Sequence, residues 1–149
     1  MTGASRGIGR GIALRLAAAG SSVILCARDQ ALLDEAVADI RKAGRTAEAI
    51  ALDLRTPDSG QRVVDYTIGS FGQIDILVNN AGATKRGEFL NLTDDDFADG
   101  FALKFFGSVR LTRAAWPHLK DTSGSVVFID GTVADWQTPP FASWLSEWW

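Results

Sequence analysis

The hydrophobic and polar positions of this 149-residue chain alternate between short apolar runs and longer amphipathic stretches. The apolar runs at 23–27, 46–52, 74–78 and 125–129 are typical of buried parallel strands. Amphipathic spacing predicts helices that begin near Ile8 and span 29–42, 57–71 and Asp94 to Leu119. Because strands and helices alternate, the sequence predicts an α/β fold, in which helices cover both faces of a parallel sheet.

A glycine-rich turn from Thr2 to Gly9 leads into the first predicted helix. Its glycines at positions 3, 7 and 9 can adopt positive φ and allow a ligand to approach the backbone closely. The helix that follows offers free N–H groups and the positive end of its dipole, which favour a pyrophosphate. Taken alone, such a turn could equally be an ordinary connection.

Polar residues also stand at the ends of the predicted strands. Arg28 follows the run at 23–27, Asp53 follows the strand at 46–52, and the sequence Asn-Asn-Ala-Gly follows the strand at 74–78. Asn80 and Gly82 could serve backbone turn geometry alone. Beside the glycine turn, a contact to a nucleotide is the better interpretation of this segment, because ligands of open α/β sheets bind outside the carboxyl ends of the strands.

The two motifs, Thr-Gly-x-x-x-Gly-x-Gly at 2–9 and Asn-Asn-Ala-Gly at 79–82, resemble those of the short-chain dehydrogenase/reductase family. The resemblance extends from Thr2 to about Val133. It implies a Rossmann-type, doubly wound parallel sheet that binds NAD or NADP and moves hydride between the nicotinamide and a carbonyl or alcohol. It implies cofactor contacts, with Asp53 beside the adenine ring, at Gly3, Ser5, Arg6, Gly7, Ile8, Gly9, Arg28, Asp53, Leu54, Asn80, Ala81 and Gly82.

Charge indicates which of the two cofactors fits better. Arg28 lies near the expected position of the adenosine ribose, and Arg6 adds a second cation inside the loop. A guanidinium can hold a 2′-phosphate by two hydrogen bonds, so NADP is favoured over NAD. Asp29 weakens this preference unless it caps the following helix. The alternative for Arg28 is a solvated charge at the start of that helix.

The chain departs from the family at both ends, and we therefore expect an incomplete sheet. Only Met1 precedes Thr2, whereas the resemblance implies a complete central strand there. Without it, the strands at 23–27 and 74–78 would each lack a hydrogen-bonding partner. The second half of the sheet, the helix with the Tyr and Lys and the substrate-covering region that the resemblance implies would all lie beyond residue 149.

The catalytic positions that the resemblance implies are not filled by the expected residue types. The family uses an Asn, a Ser and a Tyr-x-x-x-Lys, in which the Lys and the cofactor lower the Tyr pKa. The corresponding positions hold Lys104, Gly131 (with Thr132 beside it), Trp144 and Trp148, and the single tyrosine is Tyr66 in an earlier helix. No catalytic residue is therefore assigned. Lys104 is expected to be structural, with a displaced proton relay as the alternative.

Two functions remain open at this point. One is an NADP-dependent oxidoreductase acting on a small carbonyl or alcohol substrate. The other is a catalytically inactive fragment or nucleotide-binding remnant. A variant of the second would pair with an intact homologue, or with its own copy, through the helix from Asp94 to Leu119, which the resemblance implies as a dimer interface.

We divide the chain into a partial NAD(P)-binding Rossmann domain at 1–133 and a tail at 134–149. The tail contains four of the five tryptophans, so it is either an aromatic segment that packs on the sheet or a partner, or the product of an altered reading frame.

With 46% hydrophobic residues and a net charge of −3, composition favours a soluble protein and argues against nucleic-acid or membrane partners. A cytoplasmic location is expected because the sequence shows no signal peptide and no apolar run long enough to span a bilayer. The single cysteine, Cys26, is expected to be an inert core thiol. Three consecutive acids at 94–96 follow Thr93 and suit the first turn of a helix better than a metal site.

Overall fold

The computed structural model describes residues 1–83, 85 and 87–130. Its strands are β1 (Val23–Ala27), β2 (Ala47–Ala51), β3 (Ile76–Asn79) and β4 (Ser125–Phe128). Its helices are α1 (Gly7–Ala18), α2 (Gln30–Lys42), α3 (Ser59–Phe71), α4 (Asp94–Phe101) and α5 (Ser108–Asp121), with a π-helical segment at Ala102–Gly107 and a short 3₁₀ turn at Phe89–Asn91. The predicted α/β alternation is confirmed, with element ends shifted by one or two residues in most cases.

The strands form two parallel pairs. In one, Val23 of β1 lies opposite Ala47 of β2, and in the other, Ile76 of β3 lies opposite Ser125 of β4. The described residues therefore contain an incomplete parallel sheet of the Rossmann type, as the sequence predicted.

Met1 and Thr2 connect the two pairs at the centre of the sheet. Thr2 forms a parallel bridge with Cys26, whose N–H donates to the Met1 carbonyl at 3.0 Å. On the other side, the Thr2 N–H donates to the Val78 carbonyl at 3.0 Å. The expectation that both neighbouring strands lose their central partner is therefore only partly met, because two residues of extended backbone suffice to bond the carboxyl ends of β1 and β3.

Two apolar cores lie on this framework. The first packs α1 and α2 against β1 and β2 around Leu25, Leu33 and Ile40. The second packs α3 and α5 against β3 around Val64 and Leu111. Burial on both faces explains the continuous apolar run of β1, in which Val23 to Cys26 are all buried, whereas β4 is largely exposed among the described residues.

The predicted helix from Asp94 to Leu119 is present, but it is not uniform. Thr93 caps α4 in a capping box with Asp96. A π-helical segment then separates α4 from α5, and α5 continues past Pro117 to Asp121. A widened turn of this kind has the same apolar periodicity as an α-helix over a few residues, so the sequence pattern does not distinguish the two.

Candidate nucleotide-binding site

The glycine turn adopts the conformation that its residues suggested. Gly3 and Gly7 have φ values of 62° and 56°, in the left-handed region that glycine reaches without strain. Helix α1 begins at Gly7, and the preceding Arg6 is extended and makes no side-chain cap. The first N–H groups of α1 are thus available to a ligand.

Thr2 anchors the turn to the end of β3. Its hydroxyl accepts from the N–H of Asn80 at 2.9 Å and from the N–H of Ala81 at 3.0 Å, and donates to the Val78 carbonyl at 3.3 Å. The Asn80 side-chain amide donates to the carbonyls of Thr2 and Gly3 at 3.0 and 3.3 Å. Asn80, predicted as a cofactor contact, thus fixes the shape of the loop with its side chain.

Two glycines of the turn allow the close contact between the loop and β3. A Cβ on Gly3 would lie 2.8 Å from Asn80 Nδ2 and 3.0 Å from Ala81 Cα. A Cβ on Gly9 would collide with the Gly3 carbonyl oxygen. The glycines at 3 and 9 are therefore required by packing, while Gly7 is required by its φ value.

The other loop residues differ in their exposure to solvent. Arg6, Gly7 and Ile8 are exposed at the tip of the turn, with 69% of Ile8 accessible, whereas Ser5 is buried. Arg28, at the carboxyl end of β1, is exposed too. The apolar Ile8 beside an exposed arginine forms a surface on which a nucleotide could pack.

Asp29 follows Arg28 and caps α2, since its carboxylate accepts from the Leu32 N–H at 3.2 Å. This contact gives Asp29 the capping role that the sequence allowed, and Arg28 is the cation beside it at the end of β1.

Asp53 lies in a charge network at the end of β2. Its carboxylate accepts from the Arg55 N–H at 3.0 Å and pairs with the Arg55 guanidinium at 3.3 Å. The same guanidinium binds Asp99 of α4 through two hydrogen bonds of 2.6 and 2.9 Å. These bonds from Arg55 lower the pKa of Asp99, and the charge of Arg28 acts in the same direction. Sequence reasoning identified Asp53 and missed Arg55, two residues later.

Leu54 is a core residue. It is 5% exposed and belongs to the cluster between β3, α3 and α5. Its predicted cofactor contact could thus involve its backbone only. The Leu54 carbonyl accepts from the Ser59 hydroxyl at 3.2 Å.

Lys104 lies where the π-helical segment approaches the ends of β3 and β4. Its ammonium pairs with Asp130 at 2.8 Å, and its side chain is 15% exposed. A Cβ on Gly82 would lie 3.4 Å from Lys104 Cδ, so the aliphatic part of the lysine packs along the segment that follows β3. The structure thus brings Lys104, Gly82 and Asp130 together.

Other predicted residues lie away from this edge or outside the described residues. The Tyr66 hydroxyl lies in α3 and donates to Glu48 at 3.1 Å. Positions Gly131, Thr132, Trp144 and Trp148, together with the tail at 134–149, lie outside the described residues.

Within the described part of the chain, no group of three acidic, His or Cys side chains could hold a metal, and no helix could span a membrane.

The arrangement fits a dinucleotide. A glycine turn with uncapped helix N–H groups, an exposed arginine at the end of β1 and a carboxylate at the end of β2 all lie at the carboxyl edge of the sheet. This is the edge at which open α/β sheets bind their ligands.

Similar proteins agree with this geometry. An uncharacterized oxidoreductase of Mycobacterium tuberculosis is 37% identical over 146 residues, which cover 97% of this chain and 56% of the relative. An alcohol dehydrogenase of Thermococcus sibiricus, solved with 5-hydroxy-NADP, superposes with a TM-score of 0.92 at 27% identity, over 99% of this chain and 64% of that one. L-Sorbose reductase of Gluconobacter frateurii, solved with NADPH and L-sorbose, superposes with a TM-score of 0.93 at 29% identity. The match covers 99% of this chain and 57% of the reductase.

The chain spans about half the length of the curated relatives that it matches. The sequence pattern of short chain dehydrogenases matches residues 1–143, which include both the glycine turn and the segment after β3. The chain belongs to the short chain dehydrogenase family.

Proposed function

We propose that the chain binds NADP(H) through the glycine turn at the start of α1 and the carboxyl ends of β1 to β3. The observation that carries this proposal is the turn itself, in which Gly3 and Gly7 adopt positive φ and α1 begins without a side-chain cap. The N–H groups of the first helical turn would hold the pyrophosphate. Structural neighbours that were solved with NADP-type nucleotides support the same assignment.

Arg28 is the residue that favours NADP over NAD in this proposal. It is exposed at the end of β1, and Asp29 is engaged in capping α2. A 2′-phosphate near the adenosine ribose would form a charge-assisted hydrogen bond with the Arg28 guanidinium, worth about 1.5–3 kcal/mol. Such a contact would be absent with NAD, which has a hydroxyl there.

Isothermal titration of NADPH and NADH against the protein tests this preference. Arg28→Ala should weaken NADPH binding by about 10- to 100-fold and leave NADH binding within about twofold. Arg45→Ala is the matched control, because Arg45 is exposed before the amino end of β2, at the opposite edge of the sheet. An equal loss of both nucleotides in Arg28→Ala would show that Arg28 does not select the phosphate.

The reaction that we propose is hydride transfer between NADP(H) and a small carbonyl or alcohol. When bound, the nicotinamide supplies or accepts the hydride, as in oxidoreductases generally. The chain would place that ring near the ends of β3 and β4, where the Lys104 ammonium and the Asp130 carboxylate lie 2.8 Å apart. Lys104 is the described residue best placed to act on a substrate oxygen, once its pair with Asp130 opens.

A second function is nucleotide binding without turnover, and the Lys104–Asp130 pair is the observation that favours it. The Lys104 ammonium is directed at the Asp130 carboxylate, 2.8 Å away, and not at the place of a substrate oxygen. Oxidation of NADPH, followed by its absorbance with a panel of aldehydes and ketones, separates the two functions. Turnover above a cofactor-only blank contradicts the inactive version, while a melting temperature raised by NADPH without turnover supports it.

Self-association through the helical segment from Asp94 to Leu119 is a further part of the proposal. Phe106 and Trp116 lie on this segment and are 48% and 55% exposed. Phe106 lies in the π-helical segment and Trp116 in α5, and exposed aromatic residues of this kind are suited to an interface. Sedimentation velocity should show a dimer that Trp116→Glu converts to a monomer, and a monomeric wild-type protein at micromolar concentration would contradict it.

A further inference from the structure

Arg55 lies between two carboxylates at the carboxyl edge of the sheet. Its Nε and Nη2 atoms donate to the two oxygens of Asp99 on α4, at 2.6 and 2.9 Å. Its Nη1 atom donates to both oxygens of Asp53, at 3.3 and 3.4 Å. One guanidinium therefore binds two negative charges that come from different parts of the chain.

The backbone of Arg55 is fixed as well. Its N–H donates to Asp53 Oδ1 at 3.0 Å, and its carbonyl accepts from the Arg110 guanidinium of α5 at 3.1 Å. The Arg55 side chain is 20% exposed, against 57% for Asp99. Because each nitrogen of its guanidinium already donates to a carboxylate, Arg55 is better suited to hold Asp53 and Asp99 than to bind a nucleotide itself.

Arg28 lies beside this group, at the end of the neighbouring strand. In the register of β1 and β2, Ala27 is opposite Ala51. The Leu52 N–H continues the pairing by donating to the Ala27 carbonyl at 2.7 Å. Neighbouring strands are about 4.8 Å apart, so Arg28 leaves β1 close to the point at which the next strand reaches Asp53.

Arg28 nevertheless forms no ion pair within the described part of the chain, where Asp53 and Asp99 are both bound by Arg55. Hydrogen bonds from Arg55 lower the pKa of Asp99, and the charge of Arg28 lowers it further, so Arg28 acts on this carboxylate from a distance. A carboxylate without a partner at this edge would attract the Arg28 guanidinium, because charge-assisted hydrogen bonds between these two groups are strong.

The freedom of Arg28 matters for the choice between NADPH and NADH. A carboxylate and a phosphate use the same fork of guanidinium donors, so they compete for one arginine. With Arg55 in place, two cations and two anions balance at this edge of the sheet. Without Arg55, one cation would remain beside two carboxylates, and the 2′-phosphate would meet an occupied arginine and a net negative charge.

We propose, on the basis of the NADP(H) site proposed above, that Arg55 is a positioning residue for cofactor selectivity. It holds the Asp53 and Asp99 carboxylates away from Arg28, so that the Arg28 guanidinium is available to the 2′-phosphate. Arg55 does not touch the nucleotide in this arrangement. Its effect on selectivity therefore depends on the presence of Arg28.

Calorimetric titration of each variant with NADPH and NADH gives the ratio of the two affinities. Arg55→Gln should lower the NADPH-to-NADH ratio at least about fivefold, because the released carboxylates would pair with Arg28. Arg55→Lys keeps a cation between the carboxylates and should retain more of the ratio than Arg55→Gln does. The matched control is Arg10→Gln, since Arg10 also pairs with two carboxylates, Asp39 at 2.6 Å and Glu35 at 3.9 Å, but on α2. It should leave the ratio within about twofold of wild type.

The double variant Arg28→Ala/Arg55→Gln shows whether Arg55 acts through Arg28. If it does, the double variant should have the same ratio as Arg28→Ala alone, within about twofold, because effects that share one partner are not additive. A further fall of about fivefold in the Arg28→Ala background would show that Arg55 acts on the phosphate without Arg28. That result would overturn the proposal.

Circular dichroism and NADH binding by the same samples confirm that each variant is folded. A ratio unchanged in Arg55→Gln but lowered in Arg28→Ala would overturn the role of Arg55 and leave the nucleotide site intact. A ratio unchanged in Arg28→Ala, or wild-type protein that does not bind NADPH, would contradict the proposed NADP(H) site, and the role of Arg55 with it.

Discussion

The hydroxyl of Thr2 is expected to hold the glycine turn against β3, and Thr2→Val removes it with little change in volume. Thr2 is 1% exposed, and its oxygen accepts from two N–H groups at 2.9 and 3.0 Å. Valine would leave the N–H groups of Asn80 and Ala81 without this acceptor. Each unsatisfied buried donor costs about 1–3 kcal/mol, and both groups are half-buried, so the lower part of this range applies.

We therefore expect Thr2→Val to lower the free energy of unfolding by about 2–3 kcal/mol. Thr2→Ser is the matched control, because it keeps the hydroxyl and loses one methyl group, at a cost of about 1 kcal/mol. For a domain of this size, the difference of about 1–2 kcal/mol between the two variants corresponds to a few degrees in melting temperature.

Urea unfolding followed by circular dichroism measures these free energies, provided that the slope of the transition is the same for all three proteins. Titration with NADPH on the same samples should show weaker binding for Thr2→Val than for Thr2→Ser, since the turn would lose its anchor. If Thr2→Val is as stable as Thr2→Ser, the hydroxyl does not hold the loop, and the reasoning is refuted.

Three further predictions concern the scaffold. Gly60→Ala should cost about 1–3 kcal/mol in urea unfolding, because its Cβ would lie 2.8 Å from the α5 backbone, while Gly69→Ala, in open space on the same helix, should be neutral or stabilising. The hydrogen bonds from Arg55 lower the pKa of Asp99, so the contribution of this ion pair to stability is present above the unfolded pKa of about 3.9 and is lost as pH falls through the lower folded value. Asp99→Asn should flatten that part of the curve of unfolding free energy against pH. An unchanged curve would contradict a stabilising Arg55–Asp99 pair. Burial raises the pKa of the Cys26 thiol to about 11, so a thiol reagent at pH 8 should react quickly only in denaturant, and fast labelling of native protein would contradict its burial.

The order of strands and helices could be predicted from the sequence because apolar strands and amphipathic helices each leave a local pattern. The run at 23–27 matches β1 residue for residue, and the glycine turn could be placed at a helix start. The strand and the turn are both determined by residues that are adjacent in the chain, so their pattern is visible in a single sequence.

The contacts that shape the site could not be predicted, because they join distant parts of the chain. The sequence predicts Asn80 as a cofactor contact, and it does not show that the Asn80 side chain also bonds to Thr2, 78 residues away in sequence. Arg55 likewise connects Asp53 to Asp99, 44 residues further along. The π-helical segment around Lys104 is also hidden, since its apolar spacing is that of an ordinary helix.

Calorimetric titration of NADPH against wild type, Gly9→Ala and Gly11→Ala tests the central claim most directly. Both variants add one methyl group to α1, but only at Gly9 would it collide with the loop, while Gly11 has open space. We predict that wild type and Gly11→Ala bind NADPH alike and that folded Gly9→Ala binds at least about tenfold more weakly, a loss of about 1.4 kcal/mol. Folded wild-type protein that does not bind NADPH, or equal affinity in the two variants, would contradict a nucleotide site built on this turn.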